Sequence, residues 1–347
     1  MIRSAAILGA AALALAGTLA ARATVLNLPA VHDEAVMEGM PRSLSDFRFF
    51  DDLSRQLPND NVIGYRLNTA LYSDGADKLR FIYLPEGTKL EAQGQGLLKF
   101  PVGAAIIKTF AFGEGEDRRL IETRVLLHRE GGWTALPYKW NEEQTEATLA
   151  LAGARLALTR PDGKAISYRV PNMNQCATCH SIDGEIIPIG PKSRNLPFTW
   201  QANLHRVGDL RGSSPELSKD GQSVGWPLLP HWEHRDQVNI DAIARAYLDV
   251  NCAHCHQPGG SASNSGLDLR WEQDDPHAIG IRKPPVAAGR GAGGHKVSIA
   301  PGDPDASILL YRMQSTEPGV AMPELSRSTV DDEGVAVIRQ WIAGMGQ

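Results

Sequence analysis

The sequence predicts an α+β protein of several domains, in which a β-sandwich or jelly-roll-like domain is followed by two small, mainly α-helical modules. Short apolar and alternating runs, separated by turn signals, occupy residues 79–170, and this pattern is typical of an antiparallel β domain. Two short cysteine motifs and two amphipathic segments, 238–250 and 330–343, follow it. The 347 residues, of which 42% are hydrophobic, are enough for two or three such units.

The first 23 residues have the pattern of a secretory signal peptide. Arg3 gives a positive start, residues 5–20 are apolar and rich in alanine, and Ala21, Arg22 and Ala23 form an A-x-A cleavage site. The apolar run is short for a membrane span. We therefore expect cleavage after Ala23, a periplasmic mature protein and no membrane span after cleavage, with an uncleaved anchor as the alternative.

The four cysteines form two copies of one pattern, Cys-Ala-Thr-Cys-His at 176–180 and Cys-Ala-His-Cys-His at 252–256. Both are C-x-x-C-H, the attachment motif of c-type haem. Two thiols one short turn apart can each form a thioether with a haem vinyl group, and the next residue presents its imidazole to the iron. The residues expected to hold two covalently bound haem c groups are Cys176, Cys179, His180, Cys252, Cys255 and His256.

Disulfides and a zinc site are the alternatives for four cysteines in an exported protein. Neither alternative explains a histidine directly after both cysteine pairs. A zinc ribbon also needs its pairs about 15–20 residues apart, whereas 72 residues lie between Cys179 and Cys252. The pattern therefore favours two haems.

The motifs divide the mature chain into three parts. These are a β-rich domain (24–170), a first haem c module (171–237) and a second, cytochrome c-like module (238–347). In the second module the helix 238–250 leads into the motif, and 330–343 is the last helix. A further helix is predicted over 304–313, capped by Asp303 or Asp305. Tyr247 and Trp341 are expected to pack where the first and last helices cross.

Met322 is the expected sixth ligand of the second haem iron. It lies in Ala321-Met322-Pro323, directly before the last helix, where small cytochromes c place a thioether ligand. Met313, on the preceding helix, is the competing candidate. His254, inside the second motif, is expected to point away from that haem, toward solvent or the surroundings of the iron ligands.

The first haem has a less regular sequence around it. Gly190 and Pro191 follow His180 by ten and eleven residues, and the Pro191 carbonyl is expected to accept the hydrogen bond of the imidazole Nδ1–H; a plain turn is the alternative. No methionine lies between 174 and 312. His205, in a predicted helix 199–210, is the preferred sixth ligand. The other candidates are His231, His234, Met173 and His128, and a five-coordinate iron is the alternative.

The chain resembles a family of exported bacterial di-haem c-type cytochromes with a β-rich N-terminal region, largely uncharacterised. The resemblance covers about residues 40–345 and rests on the stretches LYSDGADKLRFIYLPEG, LPYKWNEEQTEATL, VPNMNQCATCHSIDG, PIGPKSRNL and ARAYLDVNCAHCHQPGG. It implies haem binding and electron transfer and supplies no substrate.

The predicted function is periplasmic electron transfer, as a carrier or as a redox subunit, with periplasmic redox proteins as partners. The net charge of −5 and the lack of a Lys/Arg run argue against nucleic acid as a partner. Two alternatives stay open. One is a di-haem peroxidase-type enzyme with an open first haem, and the other is a β-domain that binds a ligand or partner and uses the haems as a relay.

Overall fold

The computed structural model describes residues 30–92, 94–197, 228–286, 288–325 and 327–346, and two short strands at 216–217 and 223–224. The predicted signal peptide and the predicted helix that carries His205 lie outside the described residues. Within them, no helix combines the length and the apolar character that a membrane crossing requires.

The strands of the described residues all pair in antiparallel fashion, and the longer ones lie in the first half of the chain. They are β1 (Phe50–Asp52), β2 (Leu57–Pro58), β3 (Val62–Tyr65), β4 (Asp77–Tyr83), β5 (Ala105–Phe112), β6 (Arg119–Arg129), β7 (Gly132–Trp140), β8 (Ala147–Leu149), β9 (Ala154–Thr159), β10 (Ala165–Val170), β11 (Ser181–Ile182), β12 (Glu185–Ile186), β13 (Glu216–Leu217) and β14 (Ser223–Val224). Strands β3 to β8 form one six-stranded sheet. The structure thus confirms a β-rich region built on a large antiparallel sheet.

The strands of this sheet lie side by side in chain order. That order is a meander, because each strand pairs with the next strand along the chain. The shortest connection is Glu130-Gly131, between β6 and β7. A jelly roll needs Greek-key connections, so the jelly-roll form of the prediction is wrong for the described strands. The β9–β10 hairpin packs on one face of the sheet, where Ile166 and Tyr168 join Phe110 and Phe112 in one apolar cluster.

Alternation along the strands gives the sheet two different faces. On one face Phe81, Ile107 and Val125 pack with the N-terminal segment in the largest apolar cluster. On the opposite face Ile106 and other apolar residues pack in a cluster that also contains Cys176. The first cysteine motif therefore lies directly against the sheet.

The described α-helices are short except for two. They are α1 (Asp33–Met37), α2 (Met173–Cys179), α3 (Ile240–Asn251), α4 (Pro276–Ile279), α5 (Ile308–Met313) and α6 (Asp332–Gly344). Helices α3 and α6 confirm the predicted helices 238–250 and 330–343. The predicted helix over 304–313 is divided, since a 3₁₀ turn capped by Asp303 precedes α5.

Helices α3 and α6 pack against each other in the core of the second module. Tyr247 lies against Gly334, where an added Cβ would be 2.4 Å from the tyrosine ring. Trp341 lies nearer the other end of α3 and donates from Nε1 to Asp241 at 2.8 Å. Both predicted aromatic residues are thus in this core, and Gly334 provides the close approach to Tyr247.

Candidate functional site

Both C-x-x-C-H motifs line the same cavity. Its volume is about 490 Å³, and all four cysteines together with His180 and His256 contribute to its wall. The four cysteines are free thiols in this structure. The sequence predicted two separate haem modules, and the structure brings their motifs to one space.

The first motif is positioned by the short helix α2. Asn172 caps this helix by accepting from the Gln175 backbone N–H at 2.8 Å. His180 follows the last turn, and its Nδ1 lies 3.1 Å from the carbonyl oxygen of Ile187. This bond leaves Nε2 as the ring nitrogen available to a metal.

The predicted partner of His180 was Pro191, and that prediction is wrong. The Pro191 carbonyl accepts the backbone N–H of Leu98 at 3.1 Å instead. The reason is local, because the β11–β12 hairpin turns the chain back beside His180. This turn brings the carbonyl of Ile187, four residues before Pro191 in the sequence, next to the imidazole ring. The expected type of bond is present with a different carbonyl.

The second motif follows α3, whose N-terminus is capped by Asn239. His256 Nδ1 lies 3.0 Å from Ser265 Oγ, and this hydroxyl donates to the Ala262 carbonyl at 2.7 Å. Because the hydroxyl proton is used there, Ser265 accepts from the imidazole N–H. Sequence reasoning missed Ser265, since nothing distinguishes it from the other serines of its loop.

Both motif histidines are neutral near pH 7. Burial lowers the pKa of His180 to about 3 and that of His256 to about 4. A neutral imidazole is the form that binds a metal. The two rings therefore have the protonation state that ligation requires.

The two motifs touch through Cys179 and Cys255. Their Sγ atoms and a ring nitrogen of His254 all lie within 4.8 Å of one another. The hydrogen bond between the thiols raises the pKa of Cys179 and lowers that of Cys255. His254 is half-buried, and its Nδ1 is buried without a hydrogen-bond partner among the described residues, so this edge of the ring does not face solvent.

Cys179, His254 and Cys255 could also hold a zinc ion with an open fourth position. Such a site would use one cysteine of each motif and leave Cys176, Cys252 and both motif histidines without a role. Attachment of haem uses all six motif residues. The composition of the site therefore fits two haems better than one zinc ion.

Met322 and Met313 both line the cavity. Met322 lies in the loop before α6, and its backbone N–H donates to the Arg312 carbonyl at 3.0 Å. Met313 is 5% exposed and belongs to the core of the second module. The structure thus keeps Met322 at the site and gives Met313 a packing role as well.

The sixth-ligand candidates for the first haem that lie within the described residues do not line the cavity. The preferred residue, His205, lies outside the described residues. His128 is stacked on Trp133 with Nδ1 3.0 Å from the Pro101 carbonyl, and Met173 is 38% exposed. Neither of them lines the cavity in the described part of the chain, and the same holds for His231 and His234.

The β-domain forms one wall of the cavity. Leu126 and Ala135 supply apolar surface, and Lys108 and Arg124 supply charge. Sequence reasoning missed both basic residues. The signal was a charged residue at an inward position of a strand, in AIIKTFAF and RLIETRVLLH. No protein-family profile, curated protein or solved structure matches the chain.

Proposed function

We propose that the protein is a periplasmic di-haem c-type cytochrome that transfers electrons as a carrier or redox subunit. One observation carries this proposal: all six residues of the two C-x-x-C-H motifs line a single cavity. Haem attachment at both motifs would use all six of these residues.

The residues present fit haem in their chemistry. The thiols are free, which is the form that adds to a vinyl group. The imidazoles of His180 and His256 are neutral, and each is oriented by a hydrogen bond at Nδ1. Bound haem would supply one-electron redox chemistry, and Met322 is the proposed sixth ligand beside His256.

The contact between Cys179 and Cys255 supports direct electron exchange between the two haems. Each cysteine is a proposed attachment point of a different haem, and their sulfur atoms lie within 4.8 Å. Electrons that pass between two haems attached at adjacent sulfur atoms have no intervening domain to cross. The protein therefore needs no further cofactor to connect its two redox sites.

A peroxidase-type enzyme is the second candidate function. It is favoured by the position of His128 and Met173, which are held away from the cavity that His180 lines. A first iron with only His180 as an axial ligand would have an open position for a small molecule.

Two measurements test these proposals. The mass of the mature periplasmic protein should show two haem additions, and the variant Cys252→Ala/Cys255→Ala should show one. An unmodified dithiol mass would contradict the cytochrome proposal. Reduced protein that does not bind carbon monoxide quickly supports the carrier. Fast binding together with peroxide turnover supports the enzyme.

A further inference from the structure

Three basic residues lie side by side across the sheet, on the face that meets the first motif. Arg80 on β4 pairs in register with Lys108 on β5, and Lys108 pairs with Arg124 on β6. We call these three residues the basic row. Lys108 and Arg124 line the cavity that contains both cysteine motifs.

The basic row lies between two apolar clusters on the same sheet face. On one side are Ile106 and Leu126, which pack with Cys176. On the other side is Phe110, which packs with the β9–β10 hairpin. A charged band within such apolar surroundings is costly unless each charge has a partner.

Only Arg124 has a buried carboxylate partner among the described residues. Glu122, whose side chain is fully buried, accepts from Arg124 Nε at 2.9 Å and from the Tyr168 hydroxyl at 2.7 Å. Arg80 Nη1 donates to the Lys78 carbonyl at 2.9 Å. Within the described ranges no carboxylate forms an ion pair with Lys108.

Lys108 is therefore a half-buried amine that faces the cavity. Its neighbours are the guanidinium groups of Arg80 and Arg124 and the ring of Phe110, whose centroid lies 5.3 Å from Nζ. Burial lowers its pKa to about 7, and Arg124 and Arg80 lower it further in the same direction. A negatively charged group in the cavity would compensate this excess of positive charge. The occupant of the cavity should thus be apolar over most of its surface and anionic at one side.

We propose that the basic row, through Lys108, binds a carboxylate of the haem that lies against the sheet. This inference rests on the proposed function. Haem matches the required occupant, since it is a flat apolar ring with two propionate carboxylates. The contact of Cys176 with the sheet identifies this haem as the one attached at the first motif. A soluble carboxylate in the same cavity is the other source of the same chemistry.

The proposal gives the β-domain a role in tuning the potential of the first haem. The negative charge of an unpaired haem carboxylate stabilises the ferric iron. Pairing that carboxylate with a cation weakens this stabilisation. Loss of the Lys108 ammonium should therefore shift the midpoint potential of this haem to more negative values. The second haem should keep its potential, because the basic row lies beside the first motif.

The test compares Lys108→Gln, Lys108→Arg and Lys99→Gln in the haem-loaded full chain. Lys99 is the matched control, because it belongs to the same domain but is exposed and pairs with Glu91 at 3.1 Å. Mass spectrometry first gives the number of haems attached to each variant. Resonance Raman spectra then report the propionate bending band, and redox titration reports both potentials.

The expected result is two haems in every variant, with a shifted propionate band and one lowered potential in Lys108→Gln only. Lys108→Arg should keep both values near those of the wild type. An unchanged band in Lys108→Gln overturns the proposal. Absence of haem in the wild type contradicts the proposed function itself, so the two failures are distinguishable.

A further measurement keeps the proposal falsifiable. Succinate is the probe for a soluble carboxylate. Succinate could produce a saturable spectral change that is absent in Lys108→Gln. That result would show that the basic row binds a soluble carboxylate, and it would overturn the haem proposal.

Discussion

Cys179 and Cys255, one from each cysteine motif, lie with their Sγ atoms within 4.8 Å of each other. One cysteine ends helix α2 and the other follows helix α3, so the contact depends on how the two modules pack. The proposed haem attachment sites are thus adjacent by tertiary structure.

The first prediction concerns Met322. Met322→Leu keeps most of the apolar volume and removes the thioether sulfur. We expect the near-infrared methionine–iron charge-transfer band to disappear and the potential of the second haem to fall, because a methionine ligand raises it. Spectroscopy and redox titration check both effects. Met313→Leu is the matched control, and loss of the band there would assign ligation to Met313.

The second prediction concerns Ser265, which accepts from His256 Nδ1 at 3.0 Å. Ser265→Ala removes this acceptor, so the imidazole donates less electron density to the iron. We expect the potential of the second haem to rise and the free energy of unfolding to fall by about 1 kcal/mol. The exposed Ser263 of the same loop is the control as Ser263→Ala. Equal potentials in the two variants would contradict the role of Ser265.

The local parts of this molecule were predictable, and the parts that depend on packing were not. Both motifs and helices α3 and α6 follow from short sequence patterns, because spacing within one turn fixes their chemistry. The hydrogen bond of His180 goes to the carbonyl of Ile187 and not to that of Pro191 because of the β11–β12 hairpin. The strands of this hairpin have two residues each, so they leave little pattern in the sequence. Lys108 reaches the cavity only because a whole sheet packs against the first motif, and no local pattern encodes that contact.

The third prediction concerns Asp74, which is 2% exposed and joins the β-domain to the loop before α6. Its carboxylate accepts from the backbone N–H and the hydroxyl of both Ser328 and Thr329, at 2.8–3.0 Å. Asp74→Asn replaces one acceptor oxygen by a donor amide that faces these donors. We expect a loss of about 2–4 kcal/mol in unfolding free energy.

Urea unfolding of the haem-loaded protein checks this value. Asn tolerates the left-handed backbone of Asp74, whose φ is 52°, so the substitution tests the side chain. Asp77→Asn, at an exposed carboxylate three residues further along, is the control and should change little. A loss as large in the control, at the first residue of β4, would show that any change of charge in this segment destabilises the protein and that the Asp74 contacts are not special.

The last prediction concerns Asp249, which joins the two predicted haem modules. Its buried carboxylate accepts from Lys192 Nζ and Arg194 Nη2, both at 2.9 Å, and from the backbone N–H of Trp271 at 3.1 Å. Burial alone would raise the pKa of Asp249, but Lys192 and Arg194 outweigh burial and hold the pKa below 3.8.

A carboxyl with a lowered pKa in the folded state stabilises the protein fully above its unfolded pKa of 3.8. This contribution is lost as the pH falls below 3.8 and through the folded value. Asp249→Asn should therefore lower the unfolding free energy by about 3–5 kcal/mol at pH 7, because Lys192 loses its ion-pair partner and Arg194 keeps only the more exposed Glu272. The difference from the wild type should shrink in acid. Urea unfolding at several pH values measures it, with the exposed pair variant Asp305→Asn as the control. A difference that stays constant as the pH falls below 3.8 would show that the carboxylate charge of Asp249 does not hold the modules together.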